Sequence, residues 1–170
     1  MAPRVVIRTA RPDDIPRLRQ LCAEHAAYEK AEFAADGDRD ARLFDALFSY
    51  PQRMWGFVAE AEGIMVGYAT CTKDFSTWRA EEYLHMDCLY IIAEHRSLGI
   101  GKAMIQALAD QALALGCSAV EWQTPAWNEA AALFYKRLGA IANDKIRFRW
   151  DYKRCTSARP EADDGLAATQ

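Results

Sequence analysis

Apolar and β-branched residues cluster at Val5 to Thr9, and the spacing then changes. Ile15, Leu18, Leu21, Cys22, His25 or Ala26, and Tyr28 or Glu29 recur every three to four residues. The first run predicts a strand and the second a helix. Between them stands Arg11-Pro12-Asp13-Asp14, where Asp13 is the expected N-cap and Pro16 fits the first turn. Asp36-Gly37-Asp38 interrupts the helical spacing, and Leu43, Phe44, Leu47 and Phe48 mark a second helix that stops at Tyr50-Pro51. Trp55 to Ala61 and Ile64 to Cys71 are rich in β-branched and aromatic residues around Glu62-Gly63, the pattern of a hairpin. Glu82 to Ile92 predicts a further strand. Gly99 to Leu115 is a helix with Met104, Ile105, Leu108, Ala112 and Leu115 on one stripe and Gly116 just past its end. Ala119 to Thr124 predicts a strand, and Asn128 to Leu138 a helix capped by Asn128 and stopped by Gly139. Ile146 to Tyr152 alternates, as a last strand would.

The order is β-α-α-β-β-β-α-β-α-β, a mixed α/β chain. The β-α-β unit across 82 to 124 implies a parallel pair joined by a right-handed crossover. A length of 170 residues fits one domain, expected over 1–155, with a disordered tail over 156–170. A net charge of −3 gives no pull toward nucleic acid or acidic membranes. The 5 cysteines form no C-x-x-C pair, and MAPRVVIRTA has no apolar core of a signal peptide, so a reduced, cytoplasmic protein is expected. The 3 histidines, His25, His85 and His95, lack metal-ligand spacing, and no metal is expected.

Arg96-Ser97-Leu98-Gly99-Ile100-Gly101-Lys102 follows a strand and opens a helix. Glycines there let backbone N–H groups approach an anion, the helix N-terminus adds partial positive charge, and Arg96 and Lys102 add whole ones. The segment fits a diphosphate cradle, and equally a tight strand-to-helix turn. It is neither a Walker loop nor G-x-G-x-x-G.

R-x-x-G-x-G after MDCLYII resembles the acetyl-CoA diphosphate loop of the GNAT superfamily of N-acetyltransferases. Trp127-Asn128-Glu129-Ala130-Ala131-Ala132-Leu133-Phe134-Tyr135-Lys136-Arg137-Leu138-Gly139-Ala140 is similar to that superfamily's W-N-x-x-A-x-x-x-Y-x-x-x-G-A segment, nearest to its diamine (spermidine/spermine) branch. Ala27-Tyr28-Glu29-Lys30 is similar to the branch's K-Y-E segment. The resemblance implies a GNAT fold: a mostly antiparallel central sheet with a parallel, splayed strand pair, flanked by helices. It further implies acetyl-CoA as co-substrate, a small-molecule amine as acceptor, and a homodimer.

Acetyl transfer to an amine needs a neutral amine, a polarised carbonyl and a protonated leaving thiolate. A primary alkylamine has a pKa of about 10.4, so roughly one molecule in 10³ is neutral at pH 7, a cost of about 4–5 kcal/mol. A carboxylate close to the amine offsets part of that. The resemblance places a Glu of the diamine branch at the position of Asp87. Here the side chain is one methylene shorter, a reach reduced by about 1.5 Å, which favours transfer through a water. His85, two residues away, is a rival base or an acceptor contact. Tyr135 corresponds to the superfamily tyrosine that protonates the departing thiolate. Backbone N–H groups of Leu89, Tyr90 and Ile91 are implied at the thioester arm and oxygen, with Arg96, Ser97, Leu98, Gly99, Ile100, Gly101 and Lys102 around the diphosphate. Asn128 and Ala131 are implied on the cofactor arm, although Asn128 also reads as a plain N-cap. Tyr28, Glu29, Glu32 and Trp78 supply aromatic faces and carboxylates for an ammonium.

In one respect the chain departs from the branch. Where the branch is acidic before its last strand, Lys145, Arg147 and Arg149 stand here. A long polycation meets like charge there, which favours a shorter amine, a lysine-like amino acid or an amine that also carries an anion. An acetyltransferase acting on protein lysines, and an acetyl-CoA-binding sensor without turnover, are the competing readings.

Overall fold

The computed structural model describes residues 4–150. Strand β1 (Val5–Thr9) leads through a 3-10 turn (Pro12–Asp14) to α1 (Ile15–Glu29) and α2 (Arg39–Phe48). Strands β2 (Trp55–Ala61), β3 (Ile64–Ser76) and β4 (Glu81–Ile91) follow. A second 3-10 turn (Ala93–His95) precedes α3 (Ile100–Ala114), β5 (Val120–Trp122) and α4 (Glu129–Arg137). The sheet order is β1-β2-β3-β4-β5, antiparallel throughout except for the parallel β4–β5 pair.

Alternation along the strands builds two cores. Phe57, Ala59, Val66, Ala69, Leu84 and Met86 face α3, whose Ile100, Met104, Leu108 and Ala112 are buried at four-residue spacing. Val58, Met65 and Tyr68 face the other way, against Ile15, Leu18 and Leu21 of α1 and Leu47 of α2. The helical stripes expected from the pattern are the stripes that pack, except that Phe44 of α2 is exposed. Each fully buried leucine among them contributes about 1.5–3 kcal/mol.

The structure corrects the expected start of α1. Asp13 lies within the 3-10 turn, and Asp14 precedes the helix without a side-chain cap bond. Its carboxylate turns back to Arg8, with Oδ2 2.7 Å from Nη1 and Oδ1 2.9 Å from Nη2, and also accepts from the Arg11 N–H at 2.7 Å. Those bonds to Arg8 hold the Asp14 carboxyl below the usual carboxylate range. A charged partner on β1 outcompetes the local cap, and the start of α1 is tied to the sheet.

Strand β3 runs to Ser76 rather than ending at Cys71. Its polar extension pairs with β4, where Lys73 meets Glu82 and Asp74 lies near His85, so cross-strand charges sustain a ladder that hydrophobicity does not announce. The last expected strand is a second correction. Residues 146–150 form no strand, and Asp151 and Tyr152 lie outside the described residues, as does the expected tail. Ile146, Phe148 and Trp150 alternate as anticipated, yet they are 81%, 87% and 78% exposed. A strand needs a neighbour as well as a pattern, and no described strand pairs with this segment.

Candidate active site

The site begins with a mismatch in pairing. Cys88 sits opposite Thr70 and Met86 opposite Cys71, so Asp87 is one residue too many on β4 and bulges out of the ladder. On its other edge β4 pairs with β5 only from Leu84 to Met86. Beyond the bulge the two strands part. The β5-side edge of Asp87 to Ile91 has no strand partner among the described residues, so its backbone groups on that side are left outside the ladder. Strand β5 is shorter than the expected Ala119–Thr124 because Gln123 and Thr124 leave the sheet at this parting.

Past the end of the unpaired edge comes the loop before α3. Ser97 and Gly99 both take left-handed backbone, with φ of 62° and 82°. Alternation of that kind turns successive N–H groups toward one side, a concavity that suits an anion. The first helical bond runs from the Ala103 N–H to the Gly99 carbonyl at 3.1 Å. Ile100, Gly101 and Lys102 precede it, so their N–H groups have no partner within the helix. A Cβ on Gly99 would meet nothing within 4 Å, so that glycine answers to its dihedral. A Cβ on Gly101 would stand 3.0 Å from the Phe134 ring. Both were expected to clear the way for an anion, but Gly101 instead makes room for α4. Leu98 is exposed, and the Ile100 side chain is buried in the core, so Ile100 offers the loop only its backbone.

The side chain of Arg96 does not reach into the loop. Its Nε donates to the Ile91 carbonyl at 2.9 Å, and its guanidinium lies 4.7 Å from the Tyr28 ring centre and 5.7 Å from that of Tyr90. Arg96 thus joins the end of β4 to the end of α1. Positive charge at the loop comes from Lys102 and the helix N-terminus.

Asn128 caps α4 by accepting from the Ala131 N–H at 3.2 Å. Its capping role is therefore observed, and that of Ala131 is to supply the capped N–H. Two turns on, Tyr135 packs edge-on against Trp122 of β5 at 4.9 Å. Burial, and then the negative charge of Glu29, push the Tyr135 phenol up to about 12. It stays protonated across the physiological range. That second cause also brings the end of α1 electrostatically close to α4. Asp87 is exposed, and the Cys88 thiol donates to its Oδ2 at 3.6 Å. The thiol is itself pushed up to about 12 by burial and by the Asp87 charge, so it remains a neutral donor.

Of the expected acceptor residues, Tyr28 and Glu29 come together with the unpaired edge of β4 and α4. Tyr28 contacts Trp127 at 5.7 Å and Tyr90 at 6.4 Å between ring centres. His85 lies two residues before Asp87, its Nδ1 3.9 Å from Asp74 Oδ2. Trp78 is elsewhere. It is 92% exposed at the tip of the β3–β4 hairpin, with Lys145 over its ring at 6.0 Å. The hairpin turn and six strand steps from Glu81, about 20 Å at 3.3 Å each, separate it from Asp87. Glu32 lies exposed beyond the end of α1. Sequence reasoning gave no role to Trp127, Tyr68 or the polar side of His25. Trp127 opens the W-N motif, and His25 stands four residues before Glu29, which were the available signals. Tyr68, inside an apolar strand, gave none.

A groove of about 710 Å³ between the first 3-10 turn, α1 and α2 is another place for a ligand. Asp13, Asp40 and Asp45 line it, the wrong charge for a diphosphate. The loop at 97–102 and the open edge of β4 do fit the diphosphate and the amide-bearing arm of a coenzyme A thioester. No described helix is long and apolar enough to cross a membrane.

Comparison with known proteins agrees with this geometry. The family model described as the acetyltransferase (GNAT) family matches residues 18–140. A D-amino-acid N-acetyltransferase of Saccharomyces cerevisiae is 27% identical over 150 residues, covering 86% of this chain and 90% of that protein. The thialysine N-epsilon-acetyltransferase of Sus scrofa is 31% identical over 146 residues, covering 80% and 84%. The structure of an aminoglycoside N-acetyltransferase in complex with CoA superimposes with a TM-score of 0.74 at 16% identity, over 89% of this chain and 97% of that one, a likeness of fold. With its splayed β4–β5 pair and matched family segment, the chain belongs to the acetyltransferase (GNAT) family and is an N-acetyltransferase.

Proposed function

We propose that this enzyme moves an acetyl group from acetyl-CoA to the primary amine of a small molecule that also carries an anionic group, such as an amino acid. The observation that carries the reading is the parting of β4 from β5 after Met86, with a protonated Tyr135 packed on the Trp122 ring of β5 at that parting. Backbone N–H groups of Ser97 to Lys102 receive the diphosphate. The edge of Leu89 to Ile91 receives the arm, and an N–H there steadies the negative charge that develops on the thioester oxygen. The amine nitrogen attacks the carbonyl carbon, and the carbon–sulfur bond breaks. Asp87, directly or through a water, takes the ammonium proton before the attack; the nitrogen's second proton then passes through water to the Tyr135 oxygen, whose own proton goes to the leaving sulfur. Glu29 and the face of Tyr28 attract the incoming ammonium.

Two relatives named for amino-acid-like acceptors, D-amino acids and thialysine, support a substrate of that size. A homodimer is part of the proposal, supported by exposed Ile141, Ile146, Phe148 and Trp150. So is a reducing compartment, supported by free thiols at Cys22, Cys71, Cys88 and Cys117.

Turnover of acetyl-CoA against amino acids, diamines, polyamines and a lysine peptide, read by mass spectrometry, tests the reading. One added acetyl on a small amino acid, at higher kcat/KM than on spermidine, is expected. Light scattering of the same sample should give twice the 19.2 kDa chain. Acetylation of the peptide alone would replace the small-molecule reading, and a monomer would remove the dimer.

A further inference from the structure

A buried chain of polar groups lies behind Glu29, and the transfer chemistry above does not use it. His25 is 8% exposed, one of few buried polar residues, and its ring stacks on Tyr90 at 5.1 Å. Its Nδ1 is 3.0 Å from the Tyr68 hydroxyl, and its Nε2 is 3.3 Å from Glu29 Oε1. Three elements are thereby joined: Tyr68 from β3, His25 from the middle of α1, and Glu29 from the last residue of α1.

Donor and acceptor counting decides how the protons sit. A carboxylate only accepts, so the 3.3 Å approach of Nε2 to Glu29 favours the tautomer with the proton on Nε2. In the neutral imidazole, Nδ1 is then the acceptor and needs a donor. Tyr68 can serve, because burial raises its phenol far above the ordinary range and keeps its proton in place. The thiols of Cys22 and Cys88 are the other polar neighbours of that hydroxyl. The arrangement that satisfies both ring nitrogens is therefore Tyr68 O–H to Nδ1 and Nε2–H to Glu29.

Glu29 gains little by standing where it does. A carboxylate at the C-terminus of a helix faces the negative end of the helix dipole. Nearby cations are turned elsewhere, since Lys30 lies 5.8 Å from the Trp127 ring and Arg96 against Tyr28 and Tyr90. A site with carboxylate and helix end both negative is disposed to take a ligand cation. His25 occupies one oxygen of that carboxylate.

We propose that His25 is a positioning residue: anchored by the Tyr68 hydroxyl, its Nε2–H fixes the Glu29 carboxylate so that the free oxygen meets the ammonium of the acceptor. The inference rests on the acceptor side of the proposed function. Loss of the fixed orientation weakens acceptor binding and leaves the acetyl donor untouched.

Two measurements on the whole protein test it. Nitrogen-15 NMR of the His25 ring in the neutral form should show a single Nε2–H tautomer, and Tyr68→Phe should mix the tautomers. A proton on Nδ1 in the unaltered protein overturns the proposal without any assay. Kinetically, His25→Leu should raise the acceptor KM roughly three- to tenfold, the worth of one net hydrogen bond. The kcat and the acetyl-CoA KM should stay near their starting values. His25→Gln, whose amide N–H reaches the Nε2 position, should recover most of the loss. Equal losses in the two variants, or a fall in kcat with both KM values, would mark His25 as packing only. If the unaltered enzyme acetylates no amine, the proposed function fails, and the tautomer still decides the arrangement of the relay.

Discussion

Tyr135→Phe should lower kcat for acetyl transfer by about 10²-fold, with the acetyl-CoA KM little changed. General acids contribute roughly 10²–10⁴-fold. The low end is expected here because the group that departs is a thiolate. A thiol of pKa about 8.5 is a tolerable leaving group at pH 7, only about 2 kcal/mol from being protonated by solvent. The substitution keeps the ring that packs on Trp122 at 4.9 Å, so thermal stability should not move, and a fold defect is separable from a chemical one. The pH profile gives a second check. Burial and the Glu29 charge push the phenol up to about 12, so Tyr135 remains an acid until well into alkaline pH. The rate should rise with pH as the amine loses its proton, with no fall from Tyr135 below about pH 11, one unit under its own titration. The rising limb should persist in Tyr135→Phe at lower amplitude. An unchanged kcat in the variant would remove Tyr135 from the mechanism.

Gly99→Val should weaken acetyl-CoA binding by roughly 10–100-fold, measured by calorimetry. At φ 82° a β-branched residue is strained by about 1–3 kcal/mol, so the loop rearranges. Each charge-assisted N–H bond to the diphosphate that is lost adds about 1.5–3 kcal/mol. Gly101→Val should behave differently. Its Cβ enters the space of the Phe134 ring, next in sequence to Tyr135, so α4 shifts and kcat falls more than donor affinity does. Identical affinities in Gly99→Val and the unaltered protein would take the loop out of the binding site.

Much of this site can be read without coordinates, for identifiable reasons. The stripe of α3 and the N-cap at Asn128 are local, set by spacing and by one side chain, and both stand as the pattern expects. The loop at 96–102 is also local, but its parts divide their labour in a way only packing reveals: Gly99 serves its dihedral, Gly101 serves Phe134, and Arg96 serves Tyr28 and Tyr90. What escaped the sequence depends on residues far apart in the chain. The Asp87 bulge exists only relative to β3, and the Asp14 carboxylate leaves its cap for Arg8 on β1. The bond between His25 and Tyr68 spans 43 positions. Residue type puts Trp78 with the acceptor residues, and the length of the β3–β4 hairpin carries it away. The alternation of Ile146, Phe148 and Trp150 is real, but pattern alone does not supply the strand it must lie against.

The most direct test of the account is the crystal structure of the complex with acetyl-CoA. The diphosphate oxygens should lie about 3 Å from the N–H groups of Ser97 to Lys102, with the arm along the edge of β4 from Asp87 to Ile91 and the sulfur beside the Tyr135 hydroxyl. Density for the ligand in the groove between α1 and α2, or a sheet in which β5 closes onto β4 beyond Met86, would contradict it.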